Sequence, residues 1–142
     1  MPRIIIVDDD KFVREATEIL LRSRGYDVAV APDGKTGIAM ICDTPVDLAI
    51  IDLFMPDLNG ISVIGIIREV KPNLPIIVAS GFMLDQKSCP PMPGFEDMAA
   101  EAGVFRTLYK PLRPKDVISA VTDALASRGT PAATSRRGQL AG

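Results

Sequence analysis

The chain is expected to fold as an α/β domain built on a five-stranded parallel sheet. Two observations lead there. Short β-branched runs alternate along the sequence with segments of helical periodicity, and that alternation implies a parallel sheet covered on both faces. The runs Ile4–Val7, Leu48–Ile51 and Ile76–Ala79 are also apolar throughout, as strands buried on both faces must be.

Ile4-Ile5-Ile6-Val7 is the first such run, and three aspartates follow it. From Lys11 the period changes. Phe12, Ala16, Ile19 and Leu20 recur at helical spacing among Arg14, Glu15, Glu18 and Arg22, and Gly25 is placed to stop the helix. Asp27 to Val30 reads as the second strand. A helix from about Asp33 to Cys42 follows, with Ile38, Ile41 and Cys42 expected inward and Cys42 serving as a small core hydrophobe.

Leu48-Ala49-Ile50-Ile51 is the third strand and ends at Asp52. The Pro, Asn and Gly of residues 54–60 mark a loop, and a helix runs from Ile61 to about Val70, where Pro72 stops it. Ile76 to Ala79 forms the fourth strand, ending at Ser80. A fifth strand lies between about Phe105 and Tyr109 and ends at Lys110. Pro114 opens a final helix with Val117, Val121, Ala124 and Leu125 inward. Right-handed crossovers leave few topologies, and the flavodoxin-like doubly wound order 2-1-3-4-5 is the expected one.

Composition narrows the chemistry. The 142 residues suit one domain. A net charge of −2 argues against direct nucleic-acid binding, and no apolar run is long enough for a signal peptide or a membrane insertion. A cytoplasmic protein is expected. Histidine and tryptophan are absent, so chemistry falls to carboxylates, hydroxyls, lysines and backbone. Cys42 and Cys89 are too few for a disulfide framework. Residues 127–142 lack periodicity and bulk and are expected to form a disordered tail. The remaining residues 1–126 carry 13 basic and 18 acidic groups, net −5, and form the domain proper.

In doubly wound sheets the ligand site lies at the carboxyl ends of the strands. Here those ends carry Asp8, Asp9, Asp52, Ser80 and Lys110. Close carboxylates repel by roughly 1 to 4 kcal/mol per pair at about 4 Å. Three together call for a retained proton or a cation, and a hard divalent ion such as Mg²⁺ suits oxygen ligands. A cation would also let the site accept a phosphoryl group, with Asp52 as nucleophile, Lys110 as a point charge and Ser80 as a hydroxyl donor. Each residue has a plainer reading alone. Asp9 or Asp10 can cap the next helix, Ser80-Gly81 can be a turn, and Lys110 can be a solvated lysine. Their joint placement at four strand ends favours the site.

Val7-Asp8-Asp9-Asp10, Asp52-Leu53-Phe54-Met55-Pro56 with Asn59-Gly60, Ser80-Gly81 and Lys110-Pro111 resemble the motifs of bacterial response-regulator receiver domains, of the single-domain chemotaxis type. The resemblance covers about residues 3–126. It implies that Asp52 is the phosphoacceptor, charged by a sensor histidine kinase or a histidine phosphotransfer protein. It also implies a Mg²⁺ site, open to Mn²⁺, built from Asp8, Asp9, Asp52 and the Phe54 backbone carbonyl, with Asp9 a direct ligand and Asp8 acting through water. Ser80 and Lys110 take the phosphate-binding and switch places, and Lys110-Pro111 resembles a bond that is cis in the family. The implied protein is a phosphorelay switch and not a metabolic enzyme. It catalyses only its own phosphorylation and dephosphorylation, signals by protein–protein contact, and is a monomer or weak homodimer.

Three departures individualise it. Thr107 stands where the family usually has an aromatic switch residue, while Tyr109 is out of register and expected to pack. The stretch from Ser80 to Lys110 is long and holds Pro90, Pro91 and Pro93, so a fourth helix must start late, near Phe95 or Glu96. Phe54 and Phe82 place apolar bulk beside the site, where it can shield a phosphoryl group from water. Two alternatives keep the fold: an N-terminal receiver cut from a longer regulator, and a receiver-like scaffold that is never phosphorylated. A haloacid-dehalogenase-like phosphatase is set aside, because it needs an acid where Phe54 stands.

Overall fold

The computed structural model describes residues 1–53, 55, 60–80 and 103–128. Its elements in chain order are β1 (Arg3–Val7), α1 (Lys11–Ser23), β2 (Asp27–Ala31), α2 (Gly34–Asp43), β3 (Leu48–Asp52), α3 (Gly60–Val70), β4 (Ile76–Ser80), β5 (Val104–Tyr109) and α4 (Pro114–Arg128). The five strands form one sheet in the order β2-β1-β3-β4-β5, with every pair parallel, as the alternation of the sequence requires. The late helix expected near Phe95, the prolines around Cys89, and Phe54 and Phe82 lie outside the described residues.

Side chains leave a strand alternately on its two faces, so each apolar run serves two cores. Ile5, Val7, Ala49, Ile51, Ile76 and Val78 meet Ile41 of α2 and Val63 and Ile67 of α3 on one face. Ile4, Ile6, Leu48, Ile50 and Ile77 meet Leu21 of α1 and Val117, Val121 and Ala124 of α4 on the other. Burial on both sides explains why Ile4–Val7 and Leu48–Ile51 are apolar up to Asp8 and Asp52, where the chain leaves the core.

Helix boundaries follow local chemistry. Asp10 caps α1, its carboxylate accepting from the backbone N–H groups of Phe12 and Val13, and Asp33 caps α2 through Thr36. Gly25, at φ +90°, turns the chain out of α1 in a backbone region that favours glycine. The final helix runs to Arg128, two residues beyond the expected boundary, and residues 129–142 lie outside the described set.

The structure decides which face of α1 is buried, a choice its helical spacing left open, and corrects two sequence expectations. Phe12 and Ile19 are 81% and 70% exposed, and Ala16 is exposed with them. The buried residues of α1 are Thr17 and Leu21, so the helix turns a second, overlapping stripe toward the core. Cys42 is exposed and not a core hydrophobe. One residue is a rotation of about 100° on a helix, and its neighbour Ile41 takes the buried position. Tyr109, expected to pack, is 43% exposed at the end of β5.

Candidate functional site

The parallel sheet brings the carboxyl ends of β1 and β3 side by side. Val7 pairs with Ile51, so the next residues, Asp8 and Asp52, leave the sheet as neighbours. Asp8 and Asp52 are buried, 2% and 3% exposed, while Asp9 is exposed. One carboxylate oxygen from each of the three lies within 4.8 Å of the others. The expected convergence of Asp8, Asp9 and Asp52 is therefore present.

Asp8 is held on every side. Its N–H donates to the Ala31 carbonyl at 3.1 Å, and its own carbonyl accepts from Arg14 Nη1 at 2.9 Å. Of its carboxylate oxygens, Oδ1 accepts from the Asp10 N–H at 2.9 Å and Oδ2 contacts Lys110 Nζ at 2.9 Å. The third aspartate is thus a capping residue that also helps fix the first. Asp9 differs: among the described residues its carboxylate makes no hydrogen bond or ion pair.

Asp52 is positioned by the exit of β3. The next residue's N–H, at Leu53, donates to the Ala79 carbonyl at 2.8 Å, and the Leu53 carbonyl accepts from the Gly60 N–H at 2.7 Å. The start of α3 comes so close to this turn that a Cβ at position 60 would lie 2.6 Å from Leu53 Cα and 2.7 Å from the Asp52 carbonyl oxygen. Only glycine fits. In the sequence Gly60 reads only as a loop marker, because this role depends on a contact between segments.

Lys110 reaches the cluster from the end of β5, with its side chain 18% exposed. Besides Asp8, its ammonium lies 3.6 Å from Asp52 Oδ1. Burial pulls the lysine pKa down, but the Asp8 hydrogen bond and the charges of Asp8, Asp52 and Asp10 outweigh it, and the net shift is upward. The ammonium is therefore firmly charged at neutral pH. The Lys110-Pro111 bond is cis, as the resemblance implied.

Ser80 ends β4 beside this group, and its backbone pairs with Tyr109. Thr107 is half-buried in β5, paired with Val78. The Phe54 carbonyl and the Phe82 side chain lie outside the described residues. A groove of about 290 Å³ flanks the site between α1 and α4, where Phe12, Thr17, Lys110, Pro111 and Val117 line it.

Among the described residues, three clustered carboxylates against one ammonium leave a surplus of negative charge. An all-oxygen donor set, partly exposed through Asp9, fits a hard divalent cation that keeps some of its water. The chain has no histidine, and among the described residues no cysteine lies at the cluster, so the donors there suit neither a soft nor an imidazole-preferring metal.

A parallel sheet in this order with acids at its carboxyl edge and a lysine facing them defines a receiver-type signalling domain. The family model described as the response regulator receiver domain matches residues 4–122, and the chain belongs to that family. It is 35% identical over 130 residues to the DNA-binding transcriptional regulator NtrC of Azospirillum brasilense, covering 92% of this chain and 25% of that one. Its fold matches a CheY-like response regulator receiver domain protein from Methanospirillum hungatei with a TM-score of 0.81 at 25% identity, covering 90% of this chain and 96% of the other. It also matches the response regulator TrrA of Thermotoga maritima in complex with Mg²⁺-BeF, with a TM-score of 0.72 at 25% identity, covering 88% and 100%.

The chain spans about a quarter to a half of the length of the curated relatives it matches first. Membership makes it a receiver domain of two-component signalling systems. Among the described residues, no helix is long and apolar enough to cross a membrane.

Proposed function

We propose that this receiver is a phosphorylation-controlled switch in which Asp52 accepts a phosphoryl group from a histidine kinase or a histidine phosphotransfer protein. The observation that carries the reading is the placement of Asp52. It is buried, at a strand end, grouped with two further carboxylates and 3.6 Å from a lysine ammonium. Asp8, Asp9, Asp52 and the Phe54 carbonyl are the proposed ligands of Mg²⁺, with Mn²⁺ as a substitute; when bound, the ion neutralises phosphoryl oxygens and the acids' mutual repulsion. Support comes from the TrrA relative, which was solved with Mg²⁺-BeF.

In the transfer, an Asp52 carboxylate oxygen bonds to phosphorus while the phosphorus–nitrogen bond of the donor phosphohistidine breaks. The imidazole nitrogen keeps the electron pair and then takes a proton from solvent. These 142 residues hold no histidine, so the donor phosphohistidine lies outside them. Lys110 holds the carboxylates before transfer and is charged to contact phosphoryl oxygens after it, with Ser80 as the proposed hydroxyl partner. The phosphoryl group adds about −1.5 to −2 charge at one carboxylate, enough to draw both residues toward it and shift a two-state surface. Phe54, Phe82 and Thr107 are proposed to tune the lifetime and reach of that change. Hydrolysis back to Asp52 is self-catalysed, and the signal leaves by protein contact in the cytosol from a monomer or weak homodimer.

The test is mass measurement after incubation with Mg²⁺ and acetyl phosphate. Wild type should gain one phosphoryl group, and Asp52→Ala should gain none. An adduct in both would overturn the assignment, and an adduct in neither would favour the unphosphorylated scaffold. A second reading concerns output alone. The relatives are two to four times longer, which favours this receiver being the N-terminal part of a regulator with an effector domain. The mass of the protein in cell extracts distinguishes the two.

A further inference from the structure

Asp9 is the exposed member of the acidic trio, and among the described residues no side chain or backbone group holds its carboxylate. Its position is therefore set by the turn that carries it. The N–H of Asp8 is fixed by Ala31 and its carboxylate by Asp10 and Lys110. What remains is the peptide joining Asp8 to Asp9, whose rotation would swing Asp9 away from the other two acids. The carbonyl of that peptide accepts from Arg14 Nη1 at 2.9 Å, across the first turn of α1. Arg14 is itself partly buried, and its N–H is fixed on the Asp10 carbonyl at 3.0 Å.

We infer that Arg14 is a positioning residue for the cation site: its guanidinium locks the Asp8–Asp9 peptide and so aims Asp9 at Asp8 and Asp52. This rests on the proposed cation site. Residues that hold metal ligands in place commonly change metal affinity by about 10- to 100-fold when lost. The sign makes the inference testable. Removing a positive charge beside three carboxylates would, by charge alone, attract a cation more strongly. Loss of positioning has the opposite effect.

Mg²⁺ titration calorimetry on wild type, Arg14→Met, Arg14→Lys and Asp9→Asn provides the test, with metal-free thermal unfolding of each. Arg14→Met should bind Mg²⁺ roughly tenfold more weakly than wild type. Arg14→Lys, which keeps the charge but loses the planar fork, should also bind more weakly and covers the case in which the methionine variant does not fold. Unchanged or tighter binding in a folded Arg14 variant, with Asp9→Asn weakened, would overturn the role of Arg14 and leave the cation site standing. Failure of wild type itself to bind would overturn the cation site and this inference with it.

Discussion

The two ends of the sheet both gather charged residues, and among the described residues they use them differently. At the amino ends of the strands, Arg3 Nε bonds Asp27 at 2.7 Å and the Arg3 N–H bonds Asp47 at 2.8 Å. Arg68 of α3 spends its guanidinium on backbone carbonyls, those of Leu74 at 2.6 Å and Gly103 at 2.9 Å among them. Burial lowers the Arg68 pKa, but it acts as a hydrogen-bond donor throughout. At the carboxyl ends, among the described residues, three carboxylates face the ammonium of Lys110, and one of the three makes no hydrogen bond or ion pair. A charged cluster that closes on itself is structure, and one that does not invites a ligand.

Breaking each end should give different losses. Lys110→Met leaves the buried Asp8 without its ion-pair partner and should cost about 3 kcal/mol in urea unfolding without metal. A loss that small surface pairs could explain would contradict the burial argument. Arg68→Met keeps the packing stem but orphans several carbonyls, and should cost about 1 to 3 kcal/mol. Because Arg68 lies at the opposite pole, its Mg²⁺ affinity in calorimetry should equal that of wild type.

The smallest effect separates the ends by pH. The hydrogen bond from Arg3 holds the Asp27 pKa below the usual carboxylate range, so its contribution is present above the unfolded value and fades as pH falls through the folded one. Lys110 behaves oppositely. Its raised pKa means a contribution complete below the unfolded lysine value and lost as pH rises through the folded one. Thermal scans should show an acid-side loss that Asp27→Asn removes and an alkaline-side loss that Lys110→Met removes.

The strands were legible because burial on both faces demands apolar runs, and Ile4–Val7 or Leu48–Ile51 admit no other reading. The site was legible for the same reason, since polar residues ending such runs fall at one edge of a parallel sheet. The face of α1 was not. Phe12, Ala16 and Ile19 repeat at helical spacing, but so do Val13, Thr17 and Leu20-Leu21, and periodicity cannot choose between two valid stripes. The sheet chooses, and it takes Leu21. Gly60 and Arg14 were missed for another reason: their roles are contacts to backbone atoms, which leave no signature in residue type.

The central claim is that the carboxyl edge carries uncompensated negative charge that a divalent cation relieves. Thermal unfolding of wild type and Asp9→Asn, each with and without saturating Mg²⁺, tests it most directly. Without metal, Asp9→Asn should melt higher than wild type, because one repelling carboxylate is gone. With Mg²⁺ at a hundredfold excess over Kd, wild type should gain about 2.7 kcal/mol of binding linkage and so overtake it. A metal-free Asp9→Asn no more stable than wild type, together with no Mg²⁺ response in either, would contradict the account.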